Sequence, residues 1–264
     1  MTRRVLAATL LAGALSPAPL AAQAILLRLE PPVGQVSTYS ADMVMQFEMA
    51  GMGEMTTNMR MQMTQTITGI EGDVRTMEVT IDSMVMEGAP GMAANPAAQV
   101  EGMTMTMQMD SRGRPVAFQM PEGMGGPMGG ISGGPLAQGF AQVFLPEGPV
   151  APGAEWVDDQ PMDLGQEDVA MEVDKNLRYR FERLDVENGA RLATISVTGT
   201  ISIKAEAPMQ MTSDGDMRGT MVLDLDAGRF RTYSMEMDMV MEMPAMQAPA
   251  TMSMTMEGTL VSGS

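Results

Sequence analysis

Apolar and polar residues alternate with a period of two along most of the chain. The alternation is clearest in residues 55–67, 103–109, 233–243 and 252–256, where methionines are separated mostly by polar or charged residues. A helix would spread these methionines over several faces, whereas a strand places them all on one face. The pattern therefore predicts long amphipathic β-strands.

Short turn sequences separate the alternating runs. Residues 71–73 read Glu-Gly-Asp, residues 187–189 read Glu-Asn-Gly, and residues 226–228 read Asp-Ala-Gly. Glycine next to Asn or Asp is typical of tight hairpin turns, which join antiparallel strands that are neighbours in the chain. The strands are therefore predicted to form antiparallel meanders.

An internal repeat divides these meanders into two halves. Residues 70–81 align with residues 186–197 at an offset of 116 (186 − 70 = 116). Gly113-Arg114 aligns with Gly228-Arg229 at an offset of 115 (228 − 113 = 115), so the two matches keep nearly one register. We interpret the halves as related copies of one supersecondary unit.

The region between the halves differs from the strands. Residues 121–135 are rich in Gly, Pro and Met and are predicted to form a loop, as are residues 88–99. Residues 136–144 place Leu136, Phe140, Val143 and Phe144 at helical spacing, which predicts a short helix.

The predicted fold is thus all-β. It consists of two related antiparallel meander halves, arranged as a half-barrel or a sandwich, with one short helix between them. The first β repeat is assigned to residues 25–134, the helix and connector to residues 135–155, and the second β repeat to residues 156–264.

The N-terminus has the pattern of a secretory signal peptide. Arg3 and Arg4 precede an apolar stretch over residues 5–15, and residues 22–24 (Ala-Gln-Ala) match a small-x-small cleavage site. Removal of residues 1–24 would leave 14 basic and 33 acidic residues, a net charge of 14 − 33 = −19. We expect an acidic periplasmic or secreted protein.

The composition narrows the available chemistry. The chain has no Cys, no His and 35 Met. These absences exclude disulfides, thiolate or imidazole catalysis, and His-ligated or Cys-ligated metal sites. The strong acidity opposes a nucleic-acid surface. No catalytic residue, cofactor-binding residue or resident cofactor is indicated, and the oligomeric state is left open.

Three structural motifs carry a family resemblance. They are Val150-x-x-Gly153-x-x-Trp156, the turn at residues 71–73, and the Gly-Thr-x-x-Leu-Asp stretch of residues 219–224. In them the chain resembles a family of exported bacterial proteins catalogued only as a domain of unknown function. Its architecture is also similar to the unclosed barrels of periplasmic lipoprotein carriers. The resemblance implies an exported all-β protein and brings no catalytic residue.

The strand methionines are predicted to fill the core. In the repeat, Met77-x-Val79-x-Ile81 aligns with residues 193–197 (Ala-x-Ile-x-Val), so methionine occupies a face that is aliphatic in the other half. A face lined by methionine can also repack around apolar ligands. We therefore predict a non-enzymatic binding or structural protein whose apolar interior suits a hydrophobic small molecule or lipid.

The alternative function is Cu(I) or Ag(I) binding, because thioethers are soft ligands. The residues suspected are the methionines that lie in predicted loops and near Pro244, where the core does not claim them. They are Met92, Met120, Met124, Met128, Met243 and Met246.

The remaining charged clusters have simpler interpretations. The acids of residues 158–168, and a predicted acidic turn at residues 213–216, are interpreted as solvated loop and turn residues, with weak Ca²⁺ binding as the alternative. Arg178, Arg180 and Arg183 are predicted to pair with acids on a polar face. Trp156 is predicted to plug one end of a sheet.

Overall fold

Twelve strands form the protein in the computed structural model, which describes residues 24–49, 53–88, 100–119, 143–163, 171–205, 210–242 and 248–264. Alternating apolar and polar residues produce these strands, as the sequence predicts. The strands are β1 Val36–Met49, β2 Gly53–Glu71, β3 Val74–Glu87, β4 Thr104–Asp110, β5 Pro115–Gln119, β6 Glu155–Asp158, β7 Met162–Asp163, β8 Met171–Glu187, β9 Ala190–Ala205, β10 Met211–Asp224, β11 Arg229–Glu242 and β12 Ala250–Gly263.

All twelve strands belong to one open antiparallel sheet. Its order is β5-β4-β3-β2-β1-β12-β11-β10-β9-β8-β6, and β7 also pairs with β8. The two meander halves are confirmed, and they meet where β12 pairs with β1 over thirteen residue pairs. Because one continuous sheet spans both halves, the sandwich alternative, which needs two sheets, is wrong.

The two halves share their strand register. Residues that lie opposite each other in β2–β3 and β3–β4 have counterparts, 116 positions later in the chain, that lie opposite each other in β8–β9 and β9–β10. These pairs are Thr64–Thr80 and Thr80–Thr104 in the first half, and Arg180–Ser196 and Ser196–Thr220 in the second. The predicted turns join the strands of both halves, and Asn188 and Gly189 adopt the positive φ of 51° and 85° that a two-residue hairpin turn requires.

The core lies on one face of the sheet, here called the inner face. Met77, Val79 and Ile81 are buried there, and so are the aligned residues of β9, residues 193, 195 and 197. This confirms the predicted core role of these positions. A larger buried cluster centres on β8–β11, and a smaller one lies on β1–β4.

Two extended segments cover one end of the inner face. Residues 24–33 bury Leu27 and Leu29, and residues 143–150 bury Leu145. Ile25 and Val150 exchange backbone hydrogen bonds of 2.8 Å, which join the two segments. The Leu29 and Leu145 amides donate at 2.8 Å to carbonyls in the β4–β5 turn. We call this end, where the tight turns lie, the turn end, and the opposite end the loop end.

Several predicted features lie outside the described residues. These are residues 1–23 of the signal peptide, the loop of residues 121–135, most of the loop of residues 88–99, and residues 136–142 of the helix. Val143 and Phe144 are described, and they belong to an extended covering segment. The division into domains stays a prediction. Within the described residues, no helix has the length and apolarity needed to cross a membrane.

Candidate ligand-binding face

The strand register aligns methionines into rows across neighbouring strands of the inner face. The first row is Met235, Met256, Met43, Met59 and Met86; the second is Met217, Met237, Met254 and Met45; the third is Met239, Met252, Phe47 and Met55. Side chains directly opposite each other in antiparallel strands have Cβ atoms about 4.5–5.5 Å apart. The thirteen side chains therefore form one continuous surface, which we call the methionine face.

Burial across the methionine face is highest in the first row and lower at most positions of the other two rows, although Met217 and Met239 are also buried. In the first row, Met43, Met59, Met235 and Met256 are all buried. In the rows beyond, most side chains are only partly buried, Met45 among them. The described residues therefore leave part of an apolar surface open at the loop end.

Glycines in β10 make room for the methionine side chains. Gly219 lies opposite Met235, and Gly215 lies opposite Met239. A Cβ atom at either glycine would overlap the side chain of its methionine partner and the neighbouring backbone. The methionines of β11 thus pack directly on the bare backbone of β10, which is one use of glycine inside a strand.

A cavity of about 70 Å³ lies at the turn end, between the first half and the start of β11. Its apolar lining includes Tyr39, Met63, Ile67, Met77 and Met107. Sites for small molecules usually measure about 300–1,000 Å³. A ligand of that size would therefore require the methionines to move, which their flexible side chains allow.

Arg229 supplies the charge at this cavity. Its Nη1 donates to Ser37 Oγ at 2.8 Å. With the Gln35 amide oriented so that its oxygen faces the guanidinium, that oxygen accepts from Nη1 at 3.0 Å and from Nε at 3.1 Å. Tyr39 donates its hydroxyl to the Phe230 carbonyl at 3.0 Å. Burial raises the pKa of Tyr39 to about 12, and the charge of Arg229 partly opposes this rise.

A buried ion pair joins β6 to β8. Lys175 Nζ lies 2.6 Å from Asp158 Oδ2, and the two side chains are only 8% and 6% exposed. The interpretation of Asp158 as a solvated loop acid is therefore wrong. Lys175 alternates with Val173 and Leu177 on the inner face of β8, so its charge is buried and requires a buried acidic partner.

The predicted acidic turn of residues 213–216 is also wrong, because these residues lie inside β10. Asp214 and Asp216 point to the outer face, while Ser213 is buried on the inner face. Gly215 resembles a turn residue in sequence, but it serves to accommodate Met239.

The predictions for the arginine cluster and Trp156 are better supported. Arg178 pairs with Glu155 at 3.3 Å, and Arg183 pairs with Asp185 at 2.7 Å, which confirms ion pairing on a polar face.

Trp156 Nε1 donates to the Phe144 carbonyl at 2.5 Å, and its ring stacks on Tyr179 with centroids 5.7 Å apart. Trp156 thus attaches a covering segment to the sheet edge.

The methionines suspected of metal binding are not tested by the structure. Met92, Met120, Met124, Met128, Met243 and Met246 all lie outside the described residues. In the described part of the chain, no group of three or more His, Cys, Asp or Glu side chains is arranged to hold a metal ion.

Sequence reasoning missed three features of the inner face: the alignment of methionines into rows, the buried Lys175–Asp158 pair, and the position of Arg229. For Lys175 a signal existed, since it occupies an inward position in the alternation of β8. Arg229 contacts Ser37, which is 192 residues away in the chain, so no local pattern reveals the contact.

No protein-family model matches the chain, and no curated protein is significantly similar to it. The resemblance to an exported family therefore stays a prediction.

Among solved structures, the chain is similar to lipovitellin with a TM-score of 0.51 and 12% identity, over 89% of this chain and 26% of that one. It thus spans about a quarter of the lipovitellin chain. A putative exported protein with a YmcC-like fold from Bacteroides fragilis matches with a TM-score of 0.31 and 11% identity, over 91% of this chain and 100% of that one. A LolA superfamily protein from Nitrosomonas europaea matches with a TM-score of 0.19 and 10% identity, over 86% and 87%. The last two similarities have TM-scores below 0.5, and the first shows a shared fold alone.

Proposed function

We propose that this protein is an exported, non-enzymatic binding protein that holds an apolar ligand, such as a lipid acyl chain, against the methionine face. One observation carries the proposal. Three cross-strand rows of methionine form a continuous apolar surface that the described residues cover at the turn end and leave partly open at the loop end.

Methionine suits this role because its side chain is flexible and polarizable. It repacks around ligands of varied shape where Val or Ile would impose one geometry. Burying apolar surface contributes about 25 cal/mol per Å², so an acyl chain laid along several partly open methionines gains substantial binding free energy. The methionine face offers thioethers and one phenyl ring, with no nucleophile or general base, so the proposal includes no catalytic step.

The fold is compatible with such a role. The lipovitellin structure to which the chain is similar concerns lipid–protein interactions. At 12% identity this similarity extends to the fold only, so the ligand class is argued from the methionine face. Export is proposed from the N-terminal sequence, and a periplasmic or secreted protein would meet lipids and other apolar molecules outside the cytoplasm.

The first test is whether the protein binds apolar molecules. Protein purified without detergent would be examined by native mass spectrometry for a co-purified apolar molecule. After delipidation, it would be titrated with the fluorescent apolar probe N-phenyl-1-naphthylamine. We expect saturable binding of the probe. Absence of both a co-purified molecule and probe binding would contradict the proposal.

A matched pair of double variants locates the binding surface. Met45 and Met254 face each other on the inner face, and Val44 and Thr255 form the adjacent pair with their side chains on the outer face. We expect M45Q/M254Q to weaken probe binding about tenfold, since two apolar contacts are lost. V44Q/T255Q should leave binding unchanged. Equal effects of both variants, with both folded by circular dichroism, would place the site elsewhere.

A second candidate function is Cu(I) or Ag(I) binding. It is favoured by the second row, in which Met237, Met254 and Met45 lie on three adjacent strands and could supply three thioethers to a soft ion. Anaerobic titration with Cu(I) against a competing chelator tests this. Stoichiometric uptake lost on changing these three residues to Leu would support a site on the sheet. Uptake lost on changing Met120, Met124 and Met128 to Leu would support the loop site, and no uptake would exclude both.

A further inference from the structure

The lining of the cavity beside Arg229 is positively charged, whereas the protein as a whole is acidic. The chain carries 33 acidic and 16 basic residues. Nevertheless, among the described residues that line this cavity Arg229 alone is charged, and the others are apolar or polar but uncharged. A single positive charge therefore faces a space whose other described lining residues are uncharged.

Arg229 is bound by neutral acceptors. Its guanidinium contacts Ser37 Oγ at 2.8 Å, the Val36 carbonyl at 3.4 Å, and the Gln35 amide oxygen at 3.0 and 3.1 Å. None of the ion pairs found among the described residues includes Arg229. These contacts fix the position of the guanidinium, but their acceptors are neutral and do not compensate its charge.

The carboxylates nearest in sequence are already paired with other arginines. Asp224 accepts two hydrogen bonds of 3.0 Å from Arg231. Asp226 accepts hydrogen bonds of 2.7 and 2.9 Å from Arg191. Both aspartates of the hairpin that carries Arg229 are therefore bound to other arginines. A partly buried guanidinium that no described carboxylate pairs with favours an anionic ligand, because charge-assisted hydrogen bonds strengthen away from water.

The inner face of β1 connects this charge to the methionine face. Ser37, Tyr39, Ala41 and Met43 are buried and follow one another at two-residue steps on that face. Six residues of an extended strand span about 20 Å. An amphiphile with its head at Arg229 would therefore direct its tail along β1 toward the first methionine row.

We propose that Arg229 binds the single anionic group of an amphiphile, a carboxylate or a phosphate, whose apolar tail lies along the inner face. This assignment rests on the proposed function, because the tail occupies the surface assigned to the apolar ligand there. The cavity of about 70 Å³ is large enough for a small anionic group. The tail requires rearrangement of the flexible methionines that line the cavity, Met63, Met77 and Met107.

Three twelve-carbon probes test the proposal by displacing N-phenyl-1-naphthylamine from the delipidated full protein. They are laurate, dodecyl phosphate and the uncharged dodecanol. We expect at least one of the two anions to bind about 10- to 100-fold more tightly than dodecanol, the range typical of hydrogen bonds to charged groups. The tighter of the two anions identifies the headgroup as carboxylate or phosphate.

Variants then assign the preference to Arg229. R229Q should reduce anion affinity to the level of dodecanol while dodecanol affinity stays the same, which also shows that the variant is folded. R218Q removes an exposed arginine that pairs with Glu236 on the outer face and should change neither. S37D places a carboxylate beside Arg229 without removing it, and should abolish the anion preference in the same way.

The outcomes separate this inference from the proposed function. If N-phenyl-1-naphthylamine and dodecanol bind but the anions bind no more tightly, the role of Arg229 is wrong and the proposed function stands. The role is also wrong if the anion preference survives both R229Q and S37D. If the apolar probe and all three amphiphiles fail to bind, both proposals are wrong.

Discussion

The side chain of Met235 packs directly on Gly219, the residue opposite it in the β10–β11 ladder. A Cβ atom at Gly219 would overlap Met235 Sδ and lie 2.6 Å from the Ser234 carbonyl oxygen. Because the second of these contacts is with backbone, a side chain at this position cannot be accommodated by moving the methionine alone. Gly219 is therefore required by the packing of the first methionine row.

We predict that Gly219→Ala lowers the free energy of unfolding by about 1–3 kcal/mol, the usual cost of overpacking a filled core. Gly148 is the control, since no atom lies within 4 Å of the position that its Cβ would occupy. Gly148→Ala should leave stability unchanged or slightly raised. Urea unfolding measures both variants, and an equal effect of the two would contradict the packing described here.

The Lys175–Asp158 pair should be strongly coupled. Lys175→Met leaves the Asp158 carboxylate buried without its cation, and we expect a loss of about 3–5 kcal/mol. Adding Asp158→Asn to this variant should restore part of the stability, because no charge then remains buried. The exposed Arg60–Asp42 pair is the control: Arg60→Met should leave the free energy of unfolding nearly unchanged, because solvent screens this ion pair. If the double variant loses as much stability as the Lys175→Met and Asp158→Asn single variants lose together, the pair is uncoupled.

Neighbouring leucines test the covering segment. Leu27 is 0% exposed and Leu26 is 49% exposed. Leu27→Ala should cost about 2–5 kcal/mol through lost burial and a residual cavity, whereas Leu26→Ala should change stability by about 0.5 kcal/mol or less. Thermal or urea unfolding distinguishes the two. Similar losses would mean that residues 24–33 do not pack on the inner face.

The tyrosines predict how stability depends on alkaline pH. All three tyrosines of the chain, Tyr39, Tyr179 and Tyr233, have a pKa raised above 10.0, chiefly because burial disfavours the charged phenolate. In the unfolded chain they ionise near pH 10. The stability that their burial contributes is therefore fully present below pH 10 and falls as the pH rises above it.

For Tyr39, whose pKa is raised to about 12, the loss amounts to about 1.4 kcal/mol per pH unit between pH 10 and 12. The folded protein should show no tyrosinate absorbance near pH 10. Tyr39→Phe should make the pH dependence of unfolding shallower in this range. Tyrosinate that appears near pH 10 while the protein stays folded would contradict the burial of these side chains.

The sequence alone determined the class of fold and much of its local structure. Alternation with a period of two identified the strands, and glycine-containing turns identified the hairpins; that the two halves are copies of one unit stays a prediction. The sequence also assigned Met77, Val79 and Ile81 to the core. These features are local, because the face on which a strand residue lies depends only on its position in the alternation. At Gly215 the prediction of a turn was wrong, because this glycine lies inside β10 and accommodates Met239 of the neighbouring strand.

Only the tertiary structure decided which strands are neighbours and which side chains meet across them. The pairing of β1 with β12 brings together residues more than 200 positions apart, such as Met43 and Met256, and so creates the methionine rows. The pairing of β12 with both β1 and β11 also brings Arg229 to Ser37. Alternation fixes the face of each residue but leaves its partner open, because the partner depends on sheet order and on register. For this reason the candidate site was visible in the sequence only as an abundance of methionine.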